Sequence, residues 1–499
     1  MLLPLLLSII GTLLLLYLYT RELFGSRFAN KICATLPVHP VFGHILFFMG
    51  KSSDQAFCLV NKYFSQVDRL GKLLTGPKAL IMVNHPDLLQ QILTSSDLHD
   101  KPFFYKFFGL GGGLITENSG ERWLRVRKLL NPTFNTRMLT SYLPIMDFRT
   151  KRMITKLRTM ADGQTDVNIL KFIGECTLEM VFSTTMGRNA HELPGQREYI
   201  QNLEVIQNLL GERILNVNQH LEFVYRMSKA YKREQSSRDY CNKFTDKIIA
   251  ERRKELDKLS GMETEEDEYH TKSLNFLDEV LAIHDENKLT FSDQEISDHL
   301  YTIMTAAHDT SALTVAYTCL LMAMHPDIQT KVRNEMNEVF FSSSVDINCD
   351  SLKQLEYTEM VINEVLRICP AVPFVARQTA REIELDGVRI PKGQILVVNF
   401  FSLHRRTDIW GSDPERFDPE RFRPEATKAR HPFAFLPFSG GLRNCIGSRY
   451  AKNSMKIMLL RILQNFEIQT DLKFTDLRFK FEITLKLAGP HNVRLVKIN

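Results

Sequence analysis

Phe438-Ser439-Gly440-Gly441-Leu442-Arg443-Asn444-Cys445-Ile446-Gly447 is the stretch on which the reading of this 499-residue chain turns. It contains Phe-x-x-Gly-x-Arg-x-Cys-x-Gly, five fixed positions that a chain of ordinary composition matches by chance on the order of once in ten thousand chains. A lone cysteine is ordinarily a small buried hydrophobe, and the residues around Cys445 overturn that reading. Gly441 and Gly447 permit unusual backbone angles and close approach to a flat group. A helix is expected from just after Gly447 to about Asn465, so Cys445 lies where the positive end of a helix dipole favours a thiolate. Arg443 is placed to pair with a carboxylate. The chemistry that suits this constellation is a metal thiolate, tuned by neighbouring backbone N–H groups.

Three further stretches stand upstream of it, and one lies between them and the cysteine. Glu364-Val365-Leu366-Arg367 pairs opposite charges three residues apart on a helix face. Tyr357, Met360, Val361 and Ile368 share that face, so the pair is expected to be buried, and a buried pair needs further partners. Trp410-Gly411-Ser412-Asp413-Pro414 and Pro419-Glu420-Arg421-Phe422 follow. Trp123 and Arg127, four residues apart, would bring two donors to one anion. The clearest helix starts with a capping box, Ser292 with Glu295. Ile296, Leu300, Ile303 and Ala307 continue its apolar stripe, and Pro326 ends it after some 45 Å. Midway it carries Ala306-Ala307-His308-Asp309-Thr310-Ser311. A threonine here would ordinarily bond back to its own helix; His308 is read as a packed or surface side chain, not a ligand.

Together these motifs resemble those of the cytochrome P-450 superfamily, in the right order and over nearly the whole chain. The resemblance implies a mainly α fold with a small β region and a haem b cofactor, with Cys445 the axial ligand of the haem iron. It also implies that Arg443, Trp123, Arg127 and Arg377 contact the haem propionates, with Phe438, Gly441 and Gly447 shaping the haem loop. Glu364, Arg367 and Arg421 would form a structural network under the haem. Thr310 and Asp309 would serve oxygen activation and proton delivery. The His-Asp-Thr-Ser context resembles the insect and animal branch that includes fatty-acid ω-hydroxylases. Some members of that branch carry a glutamate that is esterified to haem. Ala306 offers none, so the haem is expected to be non-covalent. Ala307 departs from the usual glycine and adds a methyl beside the oxygen site. By the same resemblance the reaction is a monooxygenation of a lipophilic small molecule. Electrons would come from NADPH through a separate flavoprotein reductase, with cytochrome b5 as a second donor.

Composition agrees with a globular enzyme: 44% hydrophobic, 24% charged, net charge +5 from 63 basic and 58 acidic residues. That balance argues against nucleic acid. The eight cysteines are scattered without a CxxC pair, as reduced thiols would be. Leu2 to Tyr19 carry no charge and are mostly leucine, and Arg21, Arg27 and Lys31 follow. A membrane anchor over 1–20 is expected, with the rest cytosolic, then a basic, proline-rich hinge over 21–45 and a catalytic domain over 46–499. The location implied is the endoplasmic reticulum membrane. A cleaved signal peptide is the competing reading, but the run is long and lacks an A-x-A end. Gly109 to Gly113 lacks the strand-turn-helix setting of a dinucleotide site. Residues 102–115 and about 195–225 are expected to line or cover the substrate pocket. Arg449, Lys452 and Lys456 are candidate docking cations for the reductase. Two other functions use the same motifs. A haem-thiolate isomerase or dehydratase would need no external electrons, and a haem-binding scaffold would have no activity.

Overall fold

The computed structural model describes residues 2–23, 26–29, 31–32, 39, 42–75, 78–187, 194–215, 217–260, 275–286, 291–340 and 347–498. Much of the hinge expected at 21–45, and Cys33 within it, lies outside these residues. The centre of the molecule is the helix Asp293–Met324, with the Ser292–Glu295 capping box formed as the sequence predicts. From Ser311 to Ala323 every residue is buried, and a helix apolar on all faces belongs in a core. Helices Ile169–Met186, Glu356–Ile368 and Ser448–Asn465 pack against it, and Thr136–Arg158 packs on the first and last of these. One large apolar cluster joins them through Ile173, Leu320, Val365 and Leu459. Burial of the central helix is interrupted at residues 305–310, where a cavity opens onto it.

Among the described residues the β part comprises four small sheets. The largest holds β1 (Leu70–Thr75), β2 (Lys78–Val83), β4 (Phe374–Gln378) and β7 (Ile395–Asn399), in the order β1-β2-β7-β4. β2 and β7 run parallel and the other pairs antiparallel. β3 (Val167–Asn168), β8 (Phe466–Gln469) and β11 (Asn492–Lys497) form a second sheet. β5 (Ile383–Leu385) and β6 (Val388–Ile390) form a hairpin, turned by Asp386 and Gly387 at φ 52° and 71°, as a primed turn requires, and Asp386-Gly387 between alternating apolar residues is a local signal for it. β9 (Phe479–Glu482) and β10 (Thr484–Leu487) form another. In sequence, residues 50 to 380 are dominated by helical periodicity, and β1 and β2 are strands within that span. Both are only six residues long, too short for periodicity to separate strand from helix.

Leu2–Leu23 is a single helix. Among the described residues no helix is long and apolar enough to cross a membrane; several side chains of Leu2–Leu23, Tyr17 and Tyr19 among them, lie outside that set.

Candidate active site

A cavity of about 1860 Å³ is walled by Ala306, Ala307 and Thr310 of the central helix and by Phe438, Cys445 and Gly447 of the signature loop. Ordinary small-molecule sites occupy roughly 300–1,000 Å³. This one therefore has room for a flat cofactor and a substrate together.

The loop geometry explains part of its sequence. Gly441 has φ +67°, and a Cβ there would stand 1.7 Å from the Leu93 carbonyl oxygen, so no other residue fits. Gly447 corrects the expectation. Its φ is an ordinary −87°, and an added Cβ would meet only Cys445 Sγ, at 4.0 Å. What Gly447 provides is open space beside the sulfur. The Cys445 N–H donates to the Phe438 carbonyl at 2.9 Å, fixing the loop. The exposed surface of Cys445 faces the cavity, and protein atoms enclose it elsewhere. Burial pushes its thiol up, opposed by the Gly447 N–H and by Arg127. A thiolate here therefore calls for a cation at the sulfur, which a metal ion supplies.

Buried basic side chains cluster at the same cavity, Arg443 and Lys101 on its wall and Arg377 and His99 behind them. Arg443 donates from Nη2 to the Glu117 carbonyl at 2.9 Å, while its Nε and Nη1 have no partner among the described residues. Arg377, on β4, donates to its neighbour Ala376 at 3.0 Å. Lys101 and His99 are buried beside them, and His99 Nε2 is unpartnered. Burial, then repulsion from Arg377, brings Arg443 down to about 9. Burial, then Arg377 and Arg443, holds Lys101 well below the usual lysine range. Buried cations short of counter-charge call for an anion. Sequence reasoning found Arg443 and Arg377 but missed Lys101 and His99, which belong to no local pattern.

Trp123 and Arg127 do not meet on one anion as expected. The Trp123 indole N–H donates to the Leu114 carbonyl at 3.1 Å. Arg127 grips Asn444 through two bonds of 2.8 Å. Trp123 instead lies 4.6 Å beneath the Arg443 guanidinium as a cation–π platform, and Arg127 braces the residue before Cys445.

Glu364 and Arg367 are completely buried and paired through bonds of 2.6 and 2.7 Å. Arg367 also donates to the carbonyls of His404, Pro414 and Arg416, and Glu364 accepts the Asp418 N–H. Every charge is thus satisfied, which a buried pair requires. Arg421 stands 3.7 Å from Glu364 and bonds the Trp410 and Asp413 carbonyls. On the central helix, the Thr310 hydroxyl donates to the Ala306 carbonyl at 2.9 Å. Asp309 turns away from the cavity to accept the Thr484 hydroxyl at 2.7 Å. His308 bonds Thr177 at 3.1 Å.

A model of the family described as Cytochrome P450 matches residues 34–490. The chain belongs to the cytochrome P450 family. It is 32% identical to Cytochrome P450 4V2 of Rattus norvegicus, covering 98% of this P450 and 93% of the relative. It is 29% identical to Cytochrome P450 4c21 of Blattella germanica, covering 96% and 95%. Human Cytochrome P450 4F12 is 31% identical, with 84% and 80% covered. A solved structure titled "Crystal structure of cytochrome P450DA heme domain" superposes with TM-score 0.78 at 22% identity, over 93% and 97% of the two chains; it supports the fold. This P450 is a haem-thiolate monooxygenase with non-covalent haem b. The residues present fit that group: a cavity-facing thiol, a partner-poor cationic cluster for two carboxylates, and Ala306 where no ester can form.

The docking cations need one correction. Lys456 is buried, donating to Glu359 at 2.9 Å and to the Leu352 carbonyl at 2.8 Å. Lys452 pairs with the same carboxylate at 2.7 Å. Against the upward pull of burial, the two lysines bring Glu359 down to about 2. Of the three candidates, Arg449 is the exposed one.

Proposed function

We propose that this P450 inserts one atom of dioxygen into a lipophilic small molecule, using two electrons passed from NADPH by a separate flavoprotein reductase. Bound haem supplies the iron chemistry. The observation that carries the reading is that Cys445, Arg443, Lys101 and Thr310 share one cavity whose remaining wall is mostly apolar. Phe103, Phe104, Phe108, Ile115, Val375 and Ile395 are part of that wall, which suits a lipophilic substrate.

Each residue then has a task. Cys445 ligates the iron. Arg443 and Arg377, joined by Lys101 and His99, hold the two propionates, with Trp123 stacked under Arg443. Arg127 and the Phe438–Cys445 backbone bond set the loop, and Gly441 and Gly447 let it approach the ring. The Thr310 hydroxyl oxygen keeps lone pairs facing the cavity, where it accepts and passes a proton, and Asp309 replenishes it. Glu364, Arg367 and Arg421 hold the fold beneath.

The protein acts at the cytosolic face of the endoplasmic reticulum membrane, anchored by residues 1–20. The 22-residue helix Leu2–Leu23 is about 33 Å long and exposes Leu5, Leu6, Ile9 and Leu13. The reductase, and cytochrome b5 as a second donor, dock on the face that carries Arg449. The test is the carbon-monoxide difference spectrum of the reduced, membrane-expressed protein beside Cys445→Ala. A red-shifted Soret band, absent from the variant, is expected; a band at the position of histidine-ligated or neutral-thiol haem would refute thiolate ligation. Product formed without NADPH oxidation would favour the isomerase reading instead.

A further inference from the structure

Asp309 does not face the group it is proposed to serve. Neighbouring residues on a helix point about 100° apart, and here Thr310 takes the cavity wall while Asp309 points to the β9–β10 hairpin. Its Oδ2 accepts the buried Thr484 hydroxyl at 2.7 Å and lies 3.9 Å from Lys486 Nζ. Lys486 in turn lies 3.7 Å from Glu482, and Glu482 bonds Lys480 at 2.6 Å. These side chains make one chain of alternating charge along the hairpin, from the central helix toward the part-exposed Lys480. The other groups around Asp309 are Glu204 of the helix Gln196–Leu215, His308 of its own helix, His491 beyond β10, and Tyr317.

The hairpin is held against both structures. Leu485 takes the Ala371 carbonyl at 2.9 Å, and Ser53 donates to the Phe481 carbonyl at 3.0 Å. Glu482 pairs with Thr484, so the chain reverses through Ile483 alone, at φ 68°. A β-branched residue adopts that conformation only where its surroundings force it. Glu482 and Ile483 also border the cavity. The hairpin therefore touches the substrate space at its turn and the Asp309 carboxylate one residue later.

We infer that Thr484 and Lys486 are positioning residues that hold Asp309 toward the hairpin and connect it to solvent through Glu482 and Lys480. This rests on the proposed proton-delivery role of Asp309. Each proton that Asp309 passes inward is replaced by one from water along the hairpin; no electron moves and the charge of the network is restored.

The experiment compares wild type, Thr484→Val, Thr484→Ser, Lys486→Met and Asp309→Asn as haem-loaded, reductase-reconstituted protein. Dodecanoic acid serves as the probe substrate, and the carbon-monoxide spectrum shows that each variant is intact. In Thr484→Val, turnover should fall about tenfold, the share of NADPH electrons lost as hydrogen peroxide should rise, and the solvent deuterium isotope effect should grow. KM should stay within about twofold, as for a group that acts in the chemical step alone. Thr484→Ser should restore all three, and Lys486→Met should give a weaker version. Independently of turnover, the Asp309 carboxyl band, identified in the resting protein by infrared difference against Asp309→Asn, should move in Thr484→Val and return in Thr484→Ser. Unchanged peroxide share, isotope effect and band in Thr484→Val, while Asp309→Asn alters the first two, would overturn the hairpin's role. Normal coupling and isotope effect in Asp309→Asn would overturn both this inference and the proton-delivery role beneath it.

Discussion

Arg443 combines three unfavourable conditions for a guanidinium: burial, a second buried arginine beside it, and two N–H groups without a partner among the described residues. Such a charge weakens the protein by itself and is repaid by an anion. Arg443→Met should therefore leave the haem-free protein no less stable in urea, yet release haem at least tenfold faster to an excess of apomyoglobin. Trp123 makes the contrasting case. Its N–H is already spent on Leu114, so Trp123→Phe, which keeps an aromatic platform, should change haem release by less than about threefold; loss of the Leu114 bond costs about 1 kcal/mol of stability. A loss as large as that in Arg443→Met would restore Trp123 as a direct propionate donor. At this scale the sequence was readable where a role is local. Cys445, Gly441 and Arg443 sit in one ten-residue pattern. Lys101 reaches the same cavity from a distant segment, with His99 buried behind it, and no spacing announces them.

Among the elements, the helix Glu356–Ile368 and the irregular stretch after it are bound by one buried network, and two expectations follow. Removing Glu364 leaves Arg367 charged and completely buried, a loss of about 3–5 kcal/mol. Glu364→Ala should lower the urea midpoint sharply and yield protein without haem; normal haem loading would show that the network is dispensable. His404 adds a pH dependence. Burial, then Arg367 and Arg405, bring its pKa down to about 3, and its Nε2 accepts the Leu436 N–H at 3.0 Å. The unfolded chain binds this proton near pH 6.5 and the folded one does not until about 3, so stability falls as pH drops through that window. At pH 5 the loss is about 2 kcal/mol, one and a half units at 1.36 kcal/mol each. His404→Asn, which keeps an acceptor without a titrating ring, should flatten the fall of thermal midpoint between pH 7 and 5. An unchanged slope would mean that other groups dominate it. The capped central helix and the Asp386-Gly387 hairpin were legible in the sequence because caps and turns are local chemistry. β1 and β2 were not, because the pairing of β2 with β7 brings together residues some 300 positions apart, and six-residue segments carry no clear period of their own.

At the scale of the whole molecule, the exposed apolar surface bears on the membrane attachment proposed above. Beyond the helix Leu2–Leu23, a second patch is formed by Leu221, Phe223 and Met227, the last two 66% and 83% exposed. Gln219, His220 and Leu221 also border the cavity, so this patch stands beside a route into it. The sequence pointed to 195–225 as pocket-covering but carried no sign that its end turns apolar side chains outward, because an exposed phenylalanine and a buried one read alike in a helix as short as Glu222–Arg226. Fully burying a side chain of this size is worth roughly 1.5–3 kcal/mol, so three together rival a single acyl chain, which by itself gives only marginal and reversible attachment. A chain lacking residues 1–23 should therefore still float with phosphatidylcholine vesicles, in a fraction that rises with lipid concentration and persists in high salt, because the contact is apolar and screening leaves it intact. Adding Phe223→Glu and Met227→Glu to the truncated chain should leave it in the soluble fraction with an unchanged carbon-monoxide spectrum. The same two changes in the full-length chain should leave membrane attachment intact but slow the capture of dodecanoic acid from vesicles, while capture from detergent-free buffer stays the same. If the truncated chain is already soluble before these changes, the patch does not meet the bilayer, and residues 1–23 carry all of the attachment.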